Sequence, residues 1–176
     1  MTACWAWGGA SLQLYGDDGN DTIAGGSGVG NGQYISAGNG DDSIFGGTGA
    51  YQRLYGDLGR DTLVAGVGND QVYYGRDGDD SLVGGTGSNQ QLEGDGLSET
   101  GNDTLIAGGG LFQVLIGGAG NDLLKGSIAS ETLRGDSGND TLIGIGGADS
   151  LSGGDGDDII LVGTTTLADI YALFGT

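Results

Sequence analysis

The sequence predicts an all-β fold: a parallel β-solenoid of about eight coils, two short strands per coil, with non-repeat ends. Three observations predict it. A nine-residue phrase, G-G-x-G-x-D-x-U-x with U aliphatic, recurs from about residue 16 to residue 161. It is cleanest in GGAGNDLLK (117–125), GIGGADSLS (144–152) and GGDGDDIIL (153–161). The Asp before each better-preserved strand, at Asp21, Asp42, Asp61, Asp80, Asp103, Asp122, Asp140 and Asp158, recurs at steps of 21, 19, 19, 23, 19, 18 and 18, or two phrases per step. Gly 43 with Pro 0 in 176 residues would read as disorder if unpatterned, but at a fixed period it reads as repeated tight turns.

The elements follow in order. Residues 1–15 precede the repeat, and Trp5 and Trp7 suit a cover over its open end. Residues 16–161 form the solenoid. In each phrase the glycines permit a sharp turn, and the three residues after the Asp make a strand with its middle side chain inward. One inward column is predicted at Ile23, Ile44, Leu63, Leu82, Leu105, Leu124, Leu142 and Ile160. The facing column runs Leu14, Ile35, Leu54, Leu92, Leu133 and Leu151; between Val72 and Tyr73, and between Val114 and Leu115, either residue suits the inward place. Extra length falls in turns: 25–36 is a long half-repeat, and 94–106 carries four extra residues. Residues 162–176 suit a second cover. Solenoids need such covers because an open coil exposes apolar side chains and unpaired strand edges.

Composition narrows the function. Asp+Glu 24 against Lys+Arg 5 gives a net charge of −19, which makes nucleic acid and anionic membranes poor partners. Absent His and a single Cys, Cys4, leave no ligand supply for zinc, haem or iron–sulfur sites and no internal disulfide. The start, MTACWAWGGA, lacks the basic and apolar runs of a Sec signal, and no stretch approaches a membrane span. Every acidic cluster belongs to the repeat, no cleft is predicted, and no enzymatic activity is expected.

Aspartates stacked in register need a cation between them, and carboxylate with backbone carbonyl is a hard-oxygen donor set suited to calcium. The nonapeptides resemble those of the RTX (repeats-in-toxin) family over about residues 16–161. The resemblance implies a calcium-loaded parallel β-roll, with each ion between turns of adjacent coils, held by glycine-rich backbone carbonyls and the motif Asp of both neighbours. Carried over, the ligands are Asp21, Asp42, Asp61, Asp80, Asp103, Asp122, Asp140 and Asp158. It also implies secretion by type I machinery, with 162–176 as the signal. On the other edge the sixth motif position reads Tyr51, Asp70, Asn89, Phe112, Glu131 and Asp149, so calcium is expected mainly along one edge, with weaker sites near Asp70 and between Glu131 and Asp149. The core is one side chain deep per strand, so the fold is expected to depend on calcium, disordered or loosely compact without it.

The expected role is a secreted or cell-surface, non-catalytic calcium-binding structural protein. Self-association is expected, either end to end through Trp5, Trp7 and 162–176, or side by side through an outward ribbon of Thr and Val. The alternatives are a monomeric adhesion or ice-binding module, or a calcium-triggered folding and secretion module of a larger protein.

Overall fold

The computed structural model describes residues 3–5, 13–26, 32–96 and 99–163. Among these residues seventeen strands follow one another. They are β1 (Ala3–Trp5), β2 (Gln13–Tyr15), β3 (Thr22–Ala24), β4 (Tyr34–Asn39), β5 (Ser43–Phe45), β6 (Arg53–Leu58), β7 (Thr62–Val64), β8 (Val72–Asp77) and β9 (Ser81–Val83). The rest are β10 (Gln91–Glu93), β11 (Thr104–Ile106), β12 (Val114–Ala119), β13 (Leu123–Lys125), β14 (Thr132–Ser137), β15 (Thr141–Gly144), β16 (Ser150–Asp155) and β17 (Ile159–Val162). Odd-numbered strands make one nine-stranded sheet and even-numbered strands an eight-stranded one, every pair parallel and in chain order. This is the predicted β-solenoid. No helix among the described residues is long and apolar enough to cross a membrane.

Strands β3 to β15 each bury their second residue because a pleated strand alternates its side chains and only one face meets the other sheet. Ile23, Ile44, Leu63, Leu82, Leu105, Leu124 and Leu142 form one buried column; Ile35, Leu54, Tyr73, Leu92, Leu115 and Leu133 form the other. Tyr73 and Leu115 thus take the inward places that the sequence left open. Tyr73 fits a column of aliphatics because its hydroxyl finds polar partners at the turn, donating to Gln71 Oε1 at 2.5 Å and accepting from Gly66 N–H at 3.2 Å. Ile160 continues the first column opposite Leu142 but lies at the end of the described stack, 45% exposed.

Strand β1 pairs in parallel with β3, setting Cys4 opposite Ile23, so the odd-numbered sheet begins inside the segment expected as a cover. Trp7 and residues 164–176 lie outside the described residues. The expected outward ribbon is interrupted, since Ile143 is only 7% exposed. On the even-numbered sheet Tyr15, Tyr34, Tyr55 and Tyr74 form an outward stack with centroids 5.9, 5.0 and 4.9 Å apart, and the Arg76 guanidinium lies 5.0 Å from the Tyr55 ring.

Candidate metal centre

The eight motif aspartates stand directly before the strands of the odd-numbered sheet, where the turn interior meets the first strand residue. Seven backbone hydrogen bonds thread them together. The N–H of Asp21 donates to Asp42 Oδ1 at 2.6 Å, and the pattern repeats from Asp42 to Asp61, Asp61 to Asp80, Asp80 to Asp103, Asp103 to Asp122, Asp122 to Asp140 and Asp140 to Asp158, at 2.7–3.0 Å. From Asp42 onward each carboxylate therefore reaches back one coil with a single oxygen.

The second oxygen is the telling one. Oδ2 of Asp42, Asp61, Asp80, Asp103, Asp122 and Asp140 is enclosed and has no hydrogen-bond partner. Burying a charged oxygen unsatisfied is costly, and natural interiors avoid it unless something binds there. The cost is visible in the metal-free acidities. Burial, with smaller contributions from neighbouring aspartates, pushes Asp61 up to about 7, Asp80 to about 8, Asp103 to about 7 and Asp122 to about 6, against an ordinary 3.8. The bond each accepts from the preceding Asp N–H offsets part of the rise.

The glycines complete a cradle. A Cβ on Gly56, Gly75, Gly94, Gly117 or Gly135 would collide with Oδ2 of that coil's own aspartate. At Gly56, Gly94, Gly117 and Gly135 it would also stand 2.6–2.8 Å from the carbonyl oxygen of the matching glycine one coil on. The bare Cα leaves room where a carboxylate oxygen and a backbone carbonyl face each other. At coil two the matching residue is Ala37, whose methyl is buried there. Gly40, Gly59, Gly78, Gly120, Gly138 and Gly156 hold φ between 130° and 143°, which a side chain would resist, and so close the turn. Among the described residues no three acidic or thiol side chains converge on one point, so any ion there draws on carbonyls as well as carboxylates. Such an all-oxygen set fits calcium.

One buried acid was not anticipated. Asp95, in the turn with four extra residues, is 2% exposed with neither oxygen in a well-formed hydrogen bond, the Gly101 N–H nearby offsetting only part of its charge. Burial, then the charges of Asp103 and Asp122, raise it to about 8. The aspartates at the same motif position elsewhere sit differently. Asp17, Asp57 and Asp136 have left-handed backbones, with φ of 67°, 76° and 79°. Asp57 accepts the Ser36 hydroxyl proton and pairs with Arg76 at 3.3 Å, and Asp136 pairs with Arg134 at 2.6 Å.

The other edge holds a different solution. Two residues before each inward side chain, the place of the motif Asp, stand Gln33, Gln52, Gln71, Gln90, Gln113, Glu131 and Asp149. The sixth-position register read from sequence is thus corrected by one residue at Tyr51, Asp70, Asn89 and Phe112. These four have φ of 55–58° and form the extra residue of a longer turn. The glutamines are fully or almost fully buried and form a ladder: Gln52 donates to Gln33 at 2.9 Å, Gln71 to Gln52 at 3.0 Å, Gln90 to Gln71 at 3.0 Å and Gln113 to Gln90 at 3.1 Å. Their Nε2 groups also donate to turn carbonyls, as Gln71 does to Gly49 at 2.7 Å and Gln90 to Gly66 at 3.0 Å. An amide N–H thus answers the carbonyls that a cation would otherwise answer.

Asp70 is half-buried beside this ladder, with Oδ1 accepting from Asn89 at 3.1 Å. Asp149 does stand in the motif place: its Oδ1 accepts the Glu131 N–H at 3.0 Å, and a Cβ on Gly144 would lie 2.7 Å from its Oδ2. Glu131 instead closes its own turn on Ser127, through N–H at 3.0 Å and hydroxyl at 2.6 Å.

A stacked-coil fold with glycine cradles and orphaned carboxylate oxygens defines a calcium-binding repeat protein. A family model, the RTX calcium-binding nonapeptide repeat (4 copies), matches residues 13–31, 33–51, 53–77, 98–110, 113–142 and 126–160. These segments cover well over half the chain, and the protein belongs to that family. No curated protein and no solved structure gave a match.

Proposed function

We propose that calcium ions occupy the gaps between successive turns of the aspartate edge. Oδ2 of Asp21, Asp42, Asp61, Asp80, Asp103, Asp122, Asp140 and Asp158, together with turn carbonyls, would hold them. A bound divalent ion supplies charge neutralisation and cross-links each coil to the next. The row of enclosed, unanswered Oδ2 atoms from Asp42 to Asp140 carries this reading. The chain's own part is to position them: from Asp42 onward Oδ1 is committed to the preceding coil, so Oδ2 faces the cradle. Asp149 extends the same arrangement to one gap of the glutamine edge; Asp70 is the weakest candidate, because Gln71 fills the turn beside it.

The role that suits such a rod is structural and non-catalytic, in the calcium-rich extracellular medium, with export as is typical of RTX proteins. Self-assembly is the favoured use, end to end through the segments that flank the repeat or side by side through the outward ribbon. Titration calorimetry with calcium chloride, circular dichroism with calcium and with EDTA, and electron microscopy in both states test the reading together. We expect heat of binding, a sheet signal that strengthens with calcium, and calcium-dependent filaments or layers. Saturated protein that stays monomeric at high concentration would defeat assembly but not calcium binding; no heat and no spectral change would defeat both.

A further inference from the structure

The segment from Gly94 to Asp103 is longer than its counterparts, and it carries a buried acid, Asp95. At two other coils the second motif residue has its charge answered, Asp57 by Ser36 and Arg76 and Asp136 by Arg134. Asp95 has no such answer. Arg76, at the matching position one coil earlier, is engaged by Asp57 at 3.3 Å and Glu99 at 3.4 Å.

The placement of Asp95 explains its burial. Its N–H donates to Gly117 O at 2.8 Å, and a Cβ on Gly118 would stand 2.6 Å from the Asp95 Cβ, so the residue is wedged between its own turn and the next. Asp103 Oδ2 lies against Gly94, the residue before it, with Gly117 O on the same side. Asp95 thus follows the glycine that fronts the enclosed Oδ2 of Asp103, and of the charges around it those of Asp103 and Asp122 act on it most. The three carboxylates do not meet at a point, so Asp95 acts with backbone carbonyls rather than as part of a side-chain cage.

We propose that Asp95 is an additional calcium ligand that makes the 94–103 turn the tightest site of the roll and the first to load. Affinity in all-oxygen sites rises with the number of charged ligands, and this gap has one more than its neighbours. The inference rests on the calcium reading above and adds to it an order among the gaps.

The test compares calcium titrations of the wild-type chain, Asp95→Asn and Asp57→Asn, the last removing one charge at the matching position two coils earlier. Wild type and Asp57→Asn should share a tightest class of sites that weakens by at least about tenfold in Asp95→Asn. Hydrogen exchange of the unaltered chain gives a second readout that needs no folded variant: peptides covering 94–103 should gain protection at lower calcium than peptides covering 135–140. Equal binding by all three chains, or simultaneous protection of the two segments, would overturn the proposal. A wild-type chain that takes up no calcium would instead defeat the underlying calcium reading.

Discussion

Gln71 Nε2 donates to Gln52 Oε1 at 3.0 Å inside a turn whose counterpart across the roll is framed by Asp61 and Asp80. The two edges satisfy the same backbone demand by different chemistry. Turn carbonyls pointing inward need positive partners; one edge provides amide hydrogens and the other leaves room for an ion.

Truncating the ladder should therefore cost stability without costing calcium. Gln71→Ala removes donors to Gly49 O and Gln52 Oε1 and the acceptor for Gln90 and Tyr73. We expect a loss of about 2–4 kcal/mol in urea unfolding with calcium saturating, and an unchanged number of ions bound. A loss below about 0.5 kcal/mol would mean that water replaces the amide without penalty.

Replacing one motif aspartate should do the reverse. Asp80→Asn keeps the oxygen that accepts the Asp61 N–H but removes the charge at the cradle. The metal-free chain should be as stable as wild type or slightly more so, because a buried unpaired charge is gone. Calorimetry should show calcium binding weakened at the gaps on either side, by at least about tenfold.

Acidity gives a third check, with its sign set by the raised values of Asp61, Asp80, Asp103 and Asp122. An acid whose folded pKa lies above its unfolded one binds more protons when folded, so stability falls as pH rises between the two. The metal-free roll should thus be most stable near pH 4 and lose stability up to about pH 8. With calcium saturating the slope should change sign, since the ion needs the ionised form. Urea midpoints at pH 4, 6 and 8, with calcium and with EDTA, decide this; parallel curves would contradict it.

The cradle itself can be closed. Gly75→Ala puts a methyl against Asp80 Oδ2, in the space proposed for an ion. Calcium affinity should fall while the glutamine edge keeps its slow-exchanging amides. The converse change, Ala37→Gly, opens the coil-two cradle and should raise affinity there. Unaltered calorimetry for both variants would remove the cradle from the argument.

Much of this architecture was legible in the residues. The inward columns and the aspartate ladder follow from a strict period, because each coil repeats the same register. The glutamine ladder was not read, since one added residue, left-handed at Tyr51, Asp70, Asn89 and Phe112, shifts the sixth position and an amide is no metal ligand. Counting two residues back from each inward side chain would have found it. Asp95 escaped for a related reason: its turn is longer, and only the path of the chain carries that carboxylate inward. The tyrosine stack depends on Tyr34 and Tyr55 occupying different places on neighbouring strands, which periodicity alone does not mark.

The unlike edges have a mechanical consequence. Chelation should unfasten one margin of the roll while the amide seam stays stitched, so adjacent layers would splay about that seam like the leaves of a fan. Ambient calcium would then set the curvature of the object as well as its presence, and a straight rod would be its saturated form.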